Sequence, residues 1–431
     1  MTLRSVPLYV RILAGVAAGA VLGAAFGTRE ILPRLDNQDL GEIGLLFVRL
    51  LKALAIPLIF FAILDSLLRS EIRPRQGAKL LLICLVNVCV AFAIGLTILN
   101  VFRPGEAWRG QLRELAGLSR DKPQPPPAAS LSVLENLDGF VPVSLLDPFA
   151  KNTVISVVLL ALFTGAAMRR VRSRGSPSAQ AGVATLERAV EAGYETLIAM
   201  LTWVVQAIPF AVLGVVASVV GRSGLAAFAP LFSFLAVILG GLALHGFVYY
   251  PLAAWLVGGK PPSVYLGRGA DAILTGLSTN SSLASVPLTL RALERMGVSP
   301  ESARLSACIG TNLNNDGITL YDAMAALFLA QACGFQLDFG QQVVEVLASL
   351  MAGVGITGIP EAGLIVLPLV LSAVGLPEQV VAAAIPLVLP VDWIIGRMRS
   401  AVNVMSDLLV AILLDAGAPP APASKAAEAT S

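Results

Sequence analysis

The chain opens as a series of long apolar runs separated by short polar stretches. The runs Ile12 to Gly27, Gly44 to Leu68, Leu80 to Phe102, Thr153 to Met168, Leu197 to Gly221 and Leu225 to Val257 are each about as long as a bilayer-crossing helix. Period-two alternation is absent, so the pattern predicts spanning helices and not a barrel. From Pro261 onward the apolar segments become short and are interrupted by Ser, Asn and Gly. Three interruptions stand out: TNSSLAS (Thr279 to Ser285), TNLNNDG (Thr311 to Gly317) and GVGITGIPEAG (Gly353 to Gly363). Unwound backbone at membrane depth is tolerated only where it is buried in protein or lines a cavity, so broken segments predict a site.

Composition agrees with this reading. Mean hydropathy is +0.80, with 56% hydrophobic and 13% charged residues, which marks an integral membrane protein. A net charge of +2 carries no nucleic-acid signal. The basic residues give topology instead. Arg69, Arg73, Arg75 and Lys79 read as one cytoplasmic loop and Arg169, Arg170, Arg172 and Arg174 as another, which puts the N-terminus inside. The first run, preceded by Arg4 and Arg11, reads as an anchor and not a cleaved signal. Arg49 and Lys52 are expected to snorkel. The stretch Arg103 to Lys151, with Pro123, Pro125, Pro126 and Pro127, is expected to be an extracytoplasmic, mobile loop. Cys84, Cys89, Cys308 and Cys333 lack CxxC spacing and read as small buried hydrophobes, with no disulfide or zinc site implied.

The chemistry concentrates at the end of the chain, in VDWIIGRMRSAVNVMSD (Val391 to Asp407). Placing an arginine at the bilayer centre costs about 3 kcal/mol on insertion scales, so Arg397 and Arg399 must meet a partner, water or an anion. On a helix, Asp392, Gly396, Arg399, Asn403 and Asp407 form one polar stripe. A buried structural ion-pair network is the plain alternative. The breaks favour a site. Thr279, Asn280, Ser281 and Ser282 offer hydroxyls and amides at a helix start, which suits a carboxylate. Gly358 and Gly363 around Pro360 would let bare backbone approach. Asn314, Asp316 and Asp407 are hard oxygen donors, and carbonyls freed around Gly310 would complete a sodium cage. In a loop NNDG would be ordinary turn chemistry; inside an apolar span it is not. His245, without a carboxylate at helical spacing, reads as a hydrogen-bonded core histidine.

With FVRLLKALAIPLIF (Phe47 to Phe60), these motifs in this order resemble the dicarboxylate/amino acid:cation symporters, the glutamate transporter family. The resemblance covers nearly the whole chain and is weakest in the proline-rich stretch. It implies an all-α integral membrane protein of eight transmembrane helices plus two re-entrant helical hairpins, an elevator-type transporter working as a homotrimer in membrane lipid. Residues 1–78 and 152–222 would form the scaffold, 79–103 and 223–416 the transport domain, 104–151 an extracytoplasmic loop and 417–431 a disordered cytoplasmic tail. Substrate would meet Arg399, Arg397, Asn403, Asn280, Ser281, Ser282, Ile318, Ile359 and Gly363. Sodium ions would be held by Asp407 with carbonyls of Gly310, Asn314 and Asn403, by Asp316 with the Asn314 side chain, and by second-hairpin carbonyls; Asn312 and Asn87 are further candidate ligands. Asp322 and Glu361 are the candidate proton carriers.

Departures from the family pattern point to the substrate. Where amino-acid carriers have an acidic residue one turn before the substrate arginine, this chain has Gly396. The arginine found in some first hairpins is replaced by Asn280, and Arg397 appears instead. NMDGT becomes NNDGI, which introduces Asn315 and Ile318, and Cys84, Asn87 and Val88 stand where a third sodium site has Tyr, Thr and Ser. The expectation is therefore sodium-coupled import of a C4-type dicarboxylate such as succinate, fumarate or malate across the inner (plasma) membrane, with both termini cytoplasmic; aspartate or glutamate is the alternative. An intramembrane aspartyl protease is the main rival reading, and the sequence argues against it, because Tyr321-Asp322 has no Gly-x-Gly-Asp partner: Gly353-Val354-Gly355 runs into Ile356. A channel would differ by needing no ion gradient.

Overall fold

The computed structural model describes residues 8–69, 74–108, 141–142, 144–151, 153–353, 362–376 and 378–416. Most of the proline-rich stretch, the 417–431 tail, and Gly358, Ile359, Pro360 and Glu361 lie outside the described residues. The described chain is helical, and its only bridge pairs Leu32 with Leu35. The principal helices are α1 (Leu8–Phe26), α2 (Asn37–Arg69), α3 (Pro74–Phe102), α4 (Val154–Arg174), α5 (Pro177–Ser223), α6 (Ala229–Ala243) and α7 (Tyr250–Leu256). They are followed by α8 (Pro262–Thr279), α9 (Ser282–Arg295), α10 (Asp316–Ala332), α11 (Phe339–Gly353), α12 (Ala362–Ala373) and α13 (Glu378–Asp415).

Hydropathy locates the apolar middle of each helix but not its ends, which polar caps decide. α2 begins seven residues before Gly44 because Asp36 accepts from the backbone N–H of Gln38 (2.7 Å) and Asp39 (2.9 Å), while Asp39 accepts from the N–H of Asp36 (2.9 Å). α5 begins at Pro177, far ahead of the expected Leu197, under a Ser176 cap. The second basic "loop" is corrected accordingly: Arg169 to Arg174 are the last turns of α4. Arg172 reaches Glu187 at 3.1 Å, and Arg69 reaches Glu191 at 2.9 Å and Asp65 at 2.8 Å, tying the basic ends to the extension of α5. Two of the cysteines expected inside, Cys89 and Cys308, are exposed on the isolated chain; Cys84 and Cys333 are buried.

Four described helices are long and apolar enough to cross a bilayer by themselves: Asn37–Arg69, Gln76–Phe102, Pro177–Arg222 and Leu231–Leu256. α10 escapes such a count at 17 residues, yet it is buried almost all round, as a helix at the centre of a bundle must be. It packs on α3, α11, α12 and α13. α13 in turn lies against the α8–α9 hairpin and α6. A second group forms where α1 and α2 pack along α5, with α4 on α2. Glycines make this second contact close. Gly15, Gly19 and Gly23 of α1 place bare backbone against Pro209, Leu213 and Ala217 of α5, and Gly41 and Gly44 of α2 do the same near Ser218 and Ala211. Without a hydrophobic force between helices in lipid, this approach supplies the packing that holds them.

A side chain at Gly23 would begin 2.7 Å from both the Ala217 carbonyl and Val220 Cβ, whereas nothing lies within 4 Å of the Gly182 position. Gly23→Leu is expected to lower the melting temperature of the detergent-solubilised protein by several degrees, through about 1–3 kcal/mol of overpacking, and Gly182→Leu to leave it unchanged. Size-exclusion chromatography after graded heating measures both.

Candidate substrate and cation site

The first break is a hairpin tip. α8 stops at Thr279, Asn280 takes the left-handed conformation (φ 54°) that Asn tolerates better than most side chains, and Ser281 caps α9 by accepting from the Ala284 N–H (3.2 Å). The Ser281 hydroxyl is thus engaged in the cap, and Ser282 is buried beneath it. The tip is fixed to α13 through Asn280, whose side-chain oxygen accepts from Ser400 Oγ (3.2 Å). The second break is irregular throughout: a π-helical turn (Leu305–Ile309), a 3-10 turn (Gly310–Asn312), then unwound chain up to α10. Such π turns recur at functional sites. The Gly310 carbonyl, expected to be free, accepts from the N–H groups of Leu313 (2.8 Å) and Asn314 (2.9 Å), so both its lone pairs are used.

Arg399 is buried between α10, α12 and α13. Its guanidinium stands 4.4 Å over the Tyr321 ring and its Nη2 lies 3.3 Å from Asp392 Oδ2. The stripe's carboxylate two turns earlier therefore reaches the arginine, so part of the structural ion-pair alternative is realised. Gly363 at the start of α12 presses on the other side, and a Cβ there would coincide with Arg399 Nη1. Gly396 fills the remaining wall: a Cβ at that position would lie 3.2 Å from Arg399 Nη2 and 3.1 Å from Asn280 Oδ1. Asp322 is buried close by, with neither oxygen hydrogen-bonded. Ile318 is half-buried on the same helix. Arg397 points along its own helix, donates to the Trp393 carbonyl (3.1 Å) and stacks at 5.3 Å on that indole; two residues along a helix from Arg399, it starts on a different face.

A second cluster lies deeper. Asp316 Oδ2 accepts from Tyr250 Oη and Ser406 Oγ (both 2.8 Å) and stands 3.7 Å from His245 Nε2. Asn314 Nδ2 donates to Ser406 Oγ (2.5 Å), and the Thr311 hydroxyl faces the Asp407 carboxyl. Three buried acceptors remain without a hydrogen bond: Asn314 Oδ1, Asp316 Oδ1 and Asp407 Oδ1. Unmatched oxygen acceptors from Asn314, Asp316 and Asp407 fit a hard cation such as sodium. Asn403 is used differently from the expectation. Its Oδ1 accepts from the Gly317 N–H (2.8 Å), its Nδ2 donates to Asn315 Oδ1 (3.3 Å), and Asn315 Nδ2 donates to the Gly353 carbonyl (3.0 Å). One amide chain thus joins α13, the NNDG break and the end of α11. Asn87 Oδ1 accepts from Tyr249 Oη (2.9 Å), which uses one of its two lone pairs, and its Nδ2 makes no hydrogen bond among the described residues. The side chain of Asn312, like Ile359 and Glu361, lies outside the described residues, so only its backbone is described.

Sequence reasoning missed Tyr250, Tyr321 and Ser406, whose hydroxyls and rings are indistinguishable from core positions in a hydropathy plot. It also left His245 without a carboxylate, because Asp316 comes from another helix. His245 makes no hydrogen bond among the described residues; it packs on Tyr249 and Tyr250.

The family model described as the sodium:dicarboxylate symporter family matches residues 8–416. The chain belongs to that family. Its members are transporters, not enzymes, and the apolar helices make this chain a membrane protein. It is similar to C4-dicarboxylate transport protein 3 of Bradyrhizobium diazoefficiens, at 27% identity over 94% of this chain and 88% of that protein. It is also similar to excitatory amino acid transporter 5 of Mus musculus, at 25% over 92% and 79%. Excitatory amino acid transporter 1 of Homo sapiens is 38% identical over 41% of this chain, a match that spans about a third (32%) of the human protein. In this family member Gly363→Val should cost substrate affinity at least about tenfold, because the new side chain occupies the guanidinium's place. Isothermal titration with a dicarboxylate in sodium buffer measures the loss.

Proposed function

We propose that the protein imports a C4-type dicarboxylate lacking an amino group, coupled to sodium, by an elevator movement. The observation that carries the substrate class is the bare wall at Gly396, in contact range of both Arg399 Nη2 and the Asn280 amide. A substrate ammonium at this depth needs an acceptor, and leaving a buried charge without its partner costs about 3 kcal/mol, more than about a hundredfold in affinity. Arg399 is the receptor for one substrate carboxylate, since a guanidinium binds it through two parallel hydrogen bonds; the Asn280–Ser281–Ser282 tip and Asn403 line the rest. Asp316, Asn314 and Asp407 hold sodium through their three unmatched oxygens. A second reading rests on Asp322. Its unpartnered carboxyl near Arg399 offers an ammonium acceptor, which supports aspartate or glutamate as substrate; in the first reading it is a proton carrier.

In the same proposal α1, α2, α4 and α5 form the scaffold of a homotrimer in the inner membrane, and α3, α6 to α13 move as the transport domain, completing eight spans and two hairpins. The mutual packing of α1, α2, α4 and α5, and of α3 and α8 to α13, supports that division.

Competition against labelled succinate in proteoliposomes tests the substrate. Fumarate and malate are expected to compete at concentrations at least about tenfold below aspartate, and Gly396→Asp to narrow or reverse that preference; aspartate competing as well as fumarate in the wild type refutes the reading. Asp407→Asn is expected to raise the sodium concentration needed for half-maximal uptake by about tenfold or more. Uptake that persists unchanged without sodium would replace sodium with another coupling ion.

A further inference from the structure

Of the acidic and basic side chains buried among the described residues, His245, Asp316, Asp322, Asp392, Arg399 and Asp407 all belong to the site; Glu345 does not. It lies on α11, is fully buried, and neither of its oxygens makes a hydrogen bond or ion pair. α10 and α11 run antiparallel. Gly353 meets Asn315 and Thr319 at one end, and Glu345, eight residues back along α11, faces the α10 backbone at Leu327, eight residues forward from Thr319. The Leu327 amide is committed to its own helix. Between the two levels sits Ser349, also fully buried with its hydroxyl unpartnered. Gln341, one turn the other way, is buried and held by the Asp338 N–H (2.9 Å). Positions 341, 345 and 349 share one helix face, spaced by about 6 Å. They form a polar line inside the hairpin that ends at Gly353, where Asn315 and Asn403 take over.

Among the described residues, no cation is positioned to offset a charge at Glu345. Glu345 is the sole ionisable residue of α11. α10 contributes Tyr321 and Asp322, nearer the site, and Asp316 beyond them; α12 contributes none; α4 carries only Arg169, Arg170, Arg172 and Arg174, in its last turns, where Arg172 pairs with Glu187. α3, which packs here through Val88 and Phe92 against Val346 and Leu350, carries Arg75, Lys79, Cys84 and Cys89. A carboxylate in these surroundings would be a buried charge without a counterion, whereas the acid form carries none.

We propose that Glu345 is a proton-binding site, occupied while α11 lies on α10 and vacated when that face opens to water. The hairpin that covers Arg399 through Gly363 thereby carries a proton requirement for closing, separate from Asp322 and from the cation cluster. The inference rests on the transport reading only in taking the α11–α12 hairpin to move against α10. Because the packed state holds the proton and the open state releases it, closure is favoured at low pH and weakens as pH rises.

Two measurements on the full-length protein test this. Infrared spectra exchanged between light and heavy water report protonated carboxylic acids: the wild type should show one more such band than Glu345→Gln at neutral pH, and equal spectra overturn the proposal whether or not succinate is a substrate. Glu345→Met replaces the glutamine variant in this comparison should that variant fail to fold. In the second, succinate affinity is followed across about pH 5.5 to 8.5 in saturating sodium. Glu345→Gln should lose one proton's share of the wild-type dependence, up to about tenfold per pH unit, and Asp322→Asn should retain it. A glutamine variant with the wild-type slope overturns the proposal.

Discussion

A guanidinium in the middle of an apolar bundle constrains everything around it. Arg399 cannot be left to hydrocarbon, and three helices have shaped themselves to it: Asp392 supplies charge, Tyr321 a π face, and Gly363 a surface with nothing in the way. The substitution of bare backbone for side chains at Gly363 and Gly396 leaves room at the cation for a second anion of matching shape. A side chain at either position would take that room from a ligand. The cost of keeping the arginine is thus distributed, with one carboxylate from its own helix, an aromatic face from α10 and bare glycine backbone at Gly363 and Gly396.

A similar sharing of groups orders the cation cluster. Ser406 accepts a hydrogen bond from Asn314 and donates one to Asp316, so a single hydroxyl orders two of the three residues that carry an unmatched oxygen. Tyr250 completes the shell of Asp316. The oxygens left over are held in place by the hydrogen bonds that their residues make with neutral hydroxyls.

The large organisation is legible in the chain because it rests on quantities that a sequence carries locally: length of apolar runs, breaks within them, and the spacing of the Asp392-to-Asp407 stripe. Arg399, Asp316 and Asp407 can be named because charge at membrane depth needs a reason. What escapes is whatever depends on a partner from another helix or on the reach of a long side chain. Asp392 looks remote from Arg399 in the sequence, yet helical side chains two turns apart meet when one of them is arginine; Arg397 looks like its companion, although two residues along a helix is the opposite face. Gly310 looks like a source of free carbonyls until the following turn closes on it. Tyr250 and Ser406 carry no local signal, since a hydroxyl in an apolar run acquires meaning only from its neighbours in space.

The π turn at Leu244–Tyr249 is the joint between α6 and α7. A π turn holds one residue more than an α turn, and each residue advances a helix by about 100° of rotation. The turn therefore sets helical phase: α6 presents Phe234 and Leu242 to the core, and the extra residue rotates the chain beyond it so that His245, Tyr249 and Tyr250 point to Asn87 and Asp316. Deleting one residue here would leave composition, length and hydropathy almost untouched while swinging Tyr250 away from the carboxylate it holds. In this segment, register decides whether the Tyr250 hydroxyl reaches Asp316 at all.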